Sequence, residues 1–190
     1  IMKIKLGEYV EVVNPIPVKK SEQETEYKVI FPANIVNSKV TTFEYGEINL
    51  KKQVEKKYFL KENDILFQVK GTKFESILVT EIEENLLPSN SYLVLRVNTE
   101  VINPKYLQWL LKTKTLSDYF EKNTSGAIIK LVRKNTITDL ELNLPSLEEQ
   151  EEIVKMILSF EQEKENTLKY LDMKEELIEA VVMEKYKGEY

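Results

Sequence analysis

Two short runs in this 190-residue chain carry side chains suited to a charged, hydrogen-bonding ligand. The first is Gln68-Val69-Lys70-Gly71-Thr72-Lys73-Phe74. The second begins at Asn123-Thr124-Ser125-Gly126 and continues through Lys130, Arg133 and Lys134. A Gln side chain presents a donor and an acceptor side by side, the pattern that pairs with an adenine edge. Lys and Arg hold phosphate or read guanine. A Gly lets the backbone approach a phosphate closely because no Cβ intervenes. The candidate nucleic-acid contacts are therefore Gln68, Lys70, Gly71, Thr72, Lys73, Ser125, Lys130, Arg133 and Lys134. The plainer alternative is two surface loops with solvated lysines.

Catalysis finds less support. The chain has no His and no Cys, which removes the commonest general base, any Ser-His-Asp triad, thiolate metal sites and disulfides. Asn103-Pro104-Lys105-Tyr106 is similar to the Asn-Pro-Pro-Tyr motif of adenine methyltransferases, with Lys in place of the second Pro. Such an enzyme also needs a glycine-rich cofactor loop, and Gly7, Gly46, Gly71, Gly126 and Gly188 never cluster. Asn103-Pro104 reads instead as a helix cap followed by the first helical residue. Asp64 with Gln68-Val69-Lys70 is loosely like a metal-dependent nuclease core, but the spacing is short and Gln is a poor metal ligand. Glu83-Glu84 and Glu148-Glu149 are sequence neighbours whose side chains point in different directions. Any catalysis would have to rest on carboxylates, Lys or Tyr, and no metal site is expected.

These runs must be positioned by a mixed set of elements. Residues 3–13 alternate apolar and polar as a half-buried strand. Residues 14–26 read as a loop. Residues 27–36 and 40–50 read as strands with Asn37-Ser38 as the turn between them. Residues 57–70 give a turn at Glu62-Asn63-Asp64 and a buried strand at Ile65–Val69. Strands follow at 76–82 and 92–97, connected through Leu87-Pro88-Ser89-Asn90. One helix is expected over 104–122, with Leu107, Leu110, Leu111, Leu116 and Phe120 on one side. Ile128–Leu131 and Leu140–Leu144 read as short strands flanking a basic turn, Arg133-Lys134-Asn135. The fold class is α+β: a mixed-sheet domain over 1–145, followed by a long helix over 146–190 able to form a coiled coil.

That helix is announced by a capping box, Ser146 with Glu149. No Pro or Gly follows until Gly188. Leu147 to about Lys187 would make a rod of roughly 60 Å at 1.5 Å per residue. Its apolar residues Ile153, Ile157, Phe160, Leu168, Leu171, Ile178 and Val182 recur near heptad spacing. A long helix with one apolar stripe is unstable alone. It needs a partner helix, from a second copy or another protein, unless it folds back on its own domain.

The net charge of −5 disguises an asymmetry. Residues 1–145 hold 21 Lys+Arg against 19 Asp+Glu, and residues 146–190 hold 6 against 13. The acid lies in the helix, where it is either a solvated face or a means of avoiding phosphates or meeting a basic partner. No run of about 18 apolar residues exists to span a membrane. The opening Ile-Met-Lys-Ile-Lys-Leu has no signal-peptide character, and a cytoplasmic location is expected.

Residues 144–157, Leu-Pro-Ser-Leu-Glu-Glu-Gln-Glu-Glu-Ile-Val-Lys-Met-Ile, carry a further signal. They resemble the "Leu-Pro … Leu-x-Glu-Gln … Ile" signature that closes the recognition domain of DNA-specificity subunits of type I restriction–modification systems. Lys5-Leu6-Gly7-Glu8 resembles the family's opening. Asn63-Asp64-Ile65-Leu66-Phe67 with Gly71-Thr72 resembles "Gly-Asp-Ile-Leu-Phe … Gly", with Asn63 in place of Gly. Asn103-Pro104-Lys105-Tyr106-Leu107 with Leu110-Leu111 resembles "Pro-x-Tyr-Leu-x-x-x-Leu", and Gly126, Leu131 and Leu140 through Gln150 match the close.

The resemblance implies a recognition domain that enters the DNA major groove. It also implies a long helix that serves as spacer and as dock for methyltransferase subunits. The subunit itself would do no chemistry and hold no cofactor: S-adenosylmethionine would be bound by the partner methyltransferase, and a separate restriction subunit would cut DNA. Full-length relatives usually carry two recognition domains and two helices. One of each here implies a half subunit, forming an antiparallel homodimer through 147–187 that reads a bipartite palindrome. The weakly basic domain implies weak DNA binding by the isolated chain. Two other readings stay open: an orphan or decoy half that pairs with such subunits through its acidic helix, and an undetected enzyme using Tyr or carboxylates.

Overall fold

The structure, a computed structural model, describes residues 1–49, 53–71, 74–124 and 130–188, with the backbone alone at Gly71 and Lys130. The strands are β1 (Met2–Lys5), β2 (Val10–Val13), β3 (Lys19–Lys20), β4 (Tyr27–Ile30), β5 (Ile35–Val36), β6 (Lys39–Val40), β7 (Glu44–Glu47), β8 (Ile65–Gln68), β9 (Lys70–Gly71), β10 (Ser76–Leu78), β11 (Leu86–Pro88), β12 (Tyr92–Val97), β13 (Lys130–Leu131) and β14 (Glu141–Leu144). The helices are α1 (Pro104–Leu111), α2 (Lys114–Lys122), α3 (Lys134–Thr138) and α4 (Leu147–Lys187). The fold is α+β, with mixed sheets and a long C-terminal helix. The chain divides into a unit spanning Ile1–Glu151 and a second from Glu152 onward, so the division falls inside α4.

The central sheet of the first unit has the order β10-β8-β12-β2, all antiparallel. Ile65, Leu66 and Phe67 of β8 are all buried, because both faces of this strand are covered. Leu66, Ile77, Val94 and Tyr92 share one face and join a core cluster with Val13, Ile30, Leu60, Val79 and Leu86. Phe67 lies on the other face, 4.8 Å from the Phe120 ring of α2. Each such apolar side chain contributes about 1.5–3 kcal/mol on burial. A second sheet, β11-β4-β7-β3, adds a smaller cluster of Ile16, Val18, Val29, Val54 and Leu87.

Several expected elements are corrected. The strand over 3–13 breaks at a 3-10 turn, Leu6–Glu8. There Gly7 packs so closely on α3 that a Cβ would fall 2.7 Å from Thr138 Cβ. The expected loop 14–26 contains β3. Leu87-Pro88 is not a connector but part of β11, which pairs in parallel with β4. It is an edge strand, where Pro costs no ladder bond. The helix expected over 104–122 is two helices, broken at Lys112-Thr113, where Thr113 Oγ1 donates to the Leu110 carbonyl at 2.7 Å. Arg133-Lys134-Asn135 is not a turn but the start of α3.

Other local expectations hold. Asn103 Oδ1 caps α1, accepting from the N–H groups of Lys105 and Tyr106 at 2.9 and 3.3 Å. The Ser146–Glu149 box closes in both directions, at 2.9 Å from Ser146 N–H to Glu149 Oε2 and 3.3 Å from Glu149 N–H to Ser146 Oγ.

One buried ion pair organises the first unit. Arg96 Nε donates to Asp64 Oδ1 at 3.0 Å. The same guanidinium donates to the carbonyls of Lys57 and Phe59, each at 2.7 Å. Burial pushes the Asp64 carboxyl above its ordinary range, while Arg96 and the Lys61 N–H pull it back. Asp64 is thereby committed to protein partners. Arg96→Ala strands a buried carboxylate and two carbonyls, and denaturant unfolding should show a loss of about 3–5 kcal/mol. A loss below about 1 kcal/mol would show that the pair is not structural.

Candidate nucleic-acid interface

The two cation-bearing runs meet. β9 and β13 pair antiparallel, with Lys130 opposite Gly71 and Leu131 opposite Lys70. Val69 and Val132 anchor this ribbon as buried residues. Val69 N–H donates to the Ser91 carbonyl at 2.9 Å, and Val132 N–H donates to the Val69 carbonyl at 3.1 Å. Gln68 N–H donates to the Glu75 carbonyl at 2.8 Å, which closes the neck of the 69–74 loop. Phe74 packs back beside Phe67 and Phe120.

The loop's outgoing leg is tied to α1. Ser76 Oγ donates to the Gln108 carbonyl at 2.6 Å, and Gln108 Nε2 donates to the Ser76 carbonyl at 2.7 Å. On the other side, the Tyr119 hydroxyl of α2 donates to the Thr136 carbonyl of α3 at 3.2 Å. Asn123 Nδ2 and Thr124 Oγ1 turn back to carbonyls of α2, at 2.8 and 2.9 Å. These two are helix-end groups rather than ligand contacts.

The candidate residues differ in what they are free to do. Lys70 and Arg133 are exposed, and neither has an ion-pair partner among the described residues. Gln68 Nε2 donates to the Lys70 carbonyl at 3.0 Å, leaving one amide proton and the acceptor oxygen for an outside group. Lys134 is already engaged, since its ammonium donates to the Val12 carbonyl of edge strand β2 at 2.7 Å. Thr72, Lys73, Ser125 and Gly126 lie outside the described residues.

Several other cations of this unit are paired with carboxylates. Lys3 meets Glu141 at 2.7 Å, Lys5 meets Asp139 at 2.8 Å and Lys28 meets Glu83 at 2.7 Å. The Asp139 hydrogen bond raises the Lys5 ammonium above its ordinary value, and the Glu83 hydrogen bond does the same for Lys28. No cluster of acidic residues able to hold a metal ion occurs among the described residues.

Sequence reasoning left Gln150 without a role. Its side chain is fully buried. Oε1 accepts the Asn103 N–H at 2.8 Å, and Nε2 donates to the carbonyls of Val101 and Pro145, both at 3.0 Å. The hints were its place in the first turn of a helix, directly after a capping box, and in the Leu-x-Glu-Gln run of residues 147–150.

A model of the type I restriction modification DNA specificity domain matches residues 1–171. The chain belongs to that family. The type I restriction enzyme MjaIX specificity subunit of Methanocaldococcus jannaschii is 26% identical over 167 residues, covering 84% of this chain and 36% of the relative. The putative MjaX specificity subunit of the same organism is 29% identical over 164 residues, covering 82% and 38%. This specificity domain therefore spans little more than a third of the length of those relatives.

Solved structures share the fold. The HsdS subunit from Thermoanaerobacter tengcongensis gives a TM-score of 0.62 at 18% identity, over 87% of this chain and 43% of that one. The S subunit from M. genitalium gives 0.58 at 16% identity, over 87% and 40%.

Lys134 and Arg133 differ in what they do for the fold of this specificity domain. Lys134→Met removes a charged hydrogen bond to an edge strand and should cost about 1.5–3 kcal/mol of unfolding free energy. Arg133→Ala should stay within about 0.5 kcal/mol of wild type. Equal losses in a urea titration would contradict this division.

Proposed function

We propose that this chain is a non-catalytic DNA-reading subunit that directs an adenine methyltransferase and its restriction partner to a bipartite site. The observation that carries the reading is the β9–β13 ribbon. It gathers both cation-bearing runs of a specificity-family chain into one surface, with Lys70 and Arg133 exposed. In this reading Gln68, Lys70, Lys130 and Arg133 meet DNA. Lys134 supports the edge strand from behind. S-adenosylmethionine belongs to the methyltransferase, and this chain supplies only the address.

The second unit supports the partner half of the proposal. From Phe160 onward the expected stripe of α4 lies open to solvent: Phe160, Leu168, Leu171, Ile178 and Val182 are exposed. Ile153 is half-buried and Ile157 is buried. A second exposed row, Tyr170, Met173, Leu177 and Val181, follows its own three- and four-residue spacing on another face of the same helix. A two-helix coiled coil covers one stripe. We assign the first to a second copy of this chain, packed antiparallel, and the second to a methyltransferase subunit. A similar chain, with a TM-score of 0.60, comes from a structural study of complex assembly and conformational transition of the type I R-M system. No helix among the described residues is long and apolar enough to cross a membrane.

The test is adenine methylation mapped across the source genome by single-molecule sequencing, with the gene intact and deleted. Deletion should erase one bipartite motif, and two identical half-sites in that motif mark the homodimer. A lost motif with unlike halves would overturn the homodimer. An unchanged methylome would overturn the specificity role and favour a decoy acting through the acidic helix.

A further inference from the structure

The connection between β4 and β7 is longer than their pairing requires. Antiparallel neighbours can be joined by a two-residue hairpin, yet β4 ends at Ile30 and β7 begins at Glu44. The intervening segment builds a projection of its own. Pro32–Asn34 form a 3-10 turn. Then β5 and β6 pair Ile35 with Val40 and Val36 with Lys39. Asn37 and Ser38 close this ribbon with φ of 52° and 59°. Two successive left-handed residues define a tight type I′ turn, and Asn adopts that conformation readily.

The neck of the projection is locked by Asn34, which is buried. Its Oδ1 accepts the Phe31 N–H at 2.8 Å, and its Nδ2 donates to Thr42 Oγ1 at 2.9 Å. Its carbonyl accepts the Thr41 N–H at 2.9 Å and the Thr41 hydroxyl at 3.1 Å. A buried amide with its partners in place holds a short ribbon in one orientation.

The ribbon has two faces. Ile35 and Val40 pack against the larger core cluster. Val36, 51% exposed, lies on the opposite face, and Asn37 is exposed at the tip. Core packing accounts for the inner face, while Val36 and Asn37 look outward. No carboxylate occurs from Tyr27 to Phe43, in a chain with 32 of them, so this segment presents no acid to a phosphate. β6 also packs against β10, the strand that leads out of the loop carrying Lys70.

We infer that the β5–β6 ribbon is a second DNA-reading element, entering the major groove with Asn37 and Ser38 at base edges and Val36 against a thymine methyl. The inference rests on the specificity-subunit reading above. The major groove admits a two-stranded β-ribbon. An Asn amide pairs with adenine N6 and N7, a Ser hydroxyl bonds to either kind of base, and apolar groups meet the thymine methyl.

The test replaces the gene in the source strain with Asn37→Gly/Ser38→Gly and, separately, with Val36→Ala. Gly keeps the left-handed turn and removes only the reading groups. Methylation is then compared at cognate and single-mismatch sites. The double variant should lose about 5- to 100-fold of its discrimination at one or two base positions while the rest of the motif persists. Val36→Ala should relax a thymine position. Mismatch ratios unchanged within twofold in both strains would overturn the inference. If the double variant abolishes methylation everywhere, Val36→Ala, a truncation of an exposed side chain, decides alone. An intact gene that imposes no motif would overturn the specificity reading and this inference with it, a result distinct from an intact motif that ignores the ribbon.

Discussion

The buried amide of Gln150 is the contact on which the arrangement of the recognition unit depends. From the first turn of α4 it bonds the loop at Val101, the cap residue of α1 at Asn103 and the chain at Pro145, just ahead of the helix. A buried amide left unpaired costs about 1–3 kcal/mol per group, so the three segments are held as one body. The connection continues outward. Asn103 caps α1, and α1 carries Gln108, whose side chain and carbonyl exchange two hydrogen bonds with Ser76. Ser76 ends the loop that begins at Gln68. The base of the candidate interface is thus tied through α1 to the first turn of the long helix by polar contacts that are individually modest and jointly specific.

Charge in this chain is informative only after pairing is considered. A net charge of −5 argues against a DNA partner. Within the first unit, however, Lys3, Lys5 and Lys28 are paired with neighbouring carboxylates, Lys134 donates to a carbonyl of β2 and Arg96 pairs with Asp64. At the β9–β13 ribbon Lys70 and Arg133 are exposed with no ion-pair partner among the described residues. In the proposed reading these few cations would make few phosphate contacts, which predicts a shallow salt dependence and weak binding by the chain alone. The proposal therefore draws affinity from assembly, through the two apolar rows that α4 exposes.

The sequence was most legible where the signal was local. The capping box and the absence of Pro or Gly before Gly188 gave α4 its start and end, and Asn103-Pro104 gave the start of α1. Non-local facts were hidden. The break at Lys112-Thr113 has no Pro or Gly to announce it. Pro88 looked like a connector because turn residues surround it, yet an edge strand accepts it. The candidate runs were found by residue type, but their joining needed the pairing of Lys70 and Gly71 with residues some sixty positions away. Lys134 shows the limit of that approach, since its cation serves a carbonyl of β2 that no spacing rule connects to it. Arg96, a lone cation in an apolar strand, and Asp64, a lone acid at a strand start, were each visible without revealing that they are partners.

The most direct test of the account is the salt dependence of DNA affinity, measured for the chain assembled with its methyltransferase. It should be compared among wild type, Lys70→Ala and Arg133→Ala. Each substitution should reduce the slope of log affinity against log salt by about 0.9, the value for one lost phosphate contact, with unfolding free energy unchanged. Slopes identical to wild type in both variants would show that the β9–β13 surface does not face DNA.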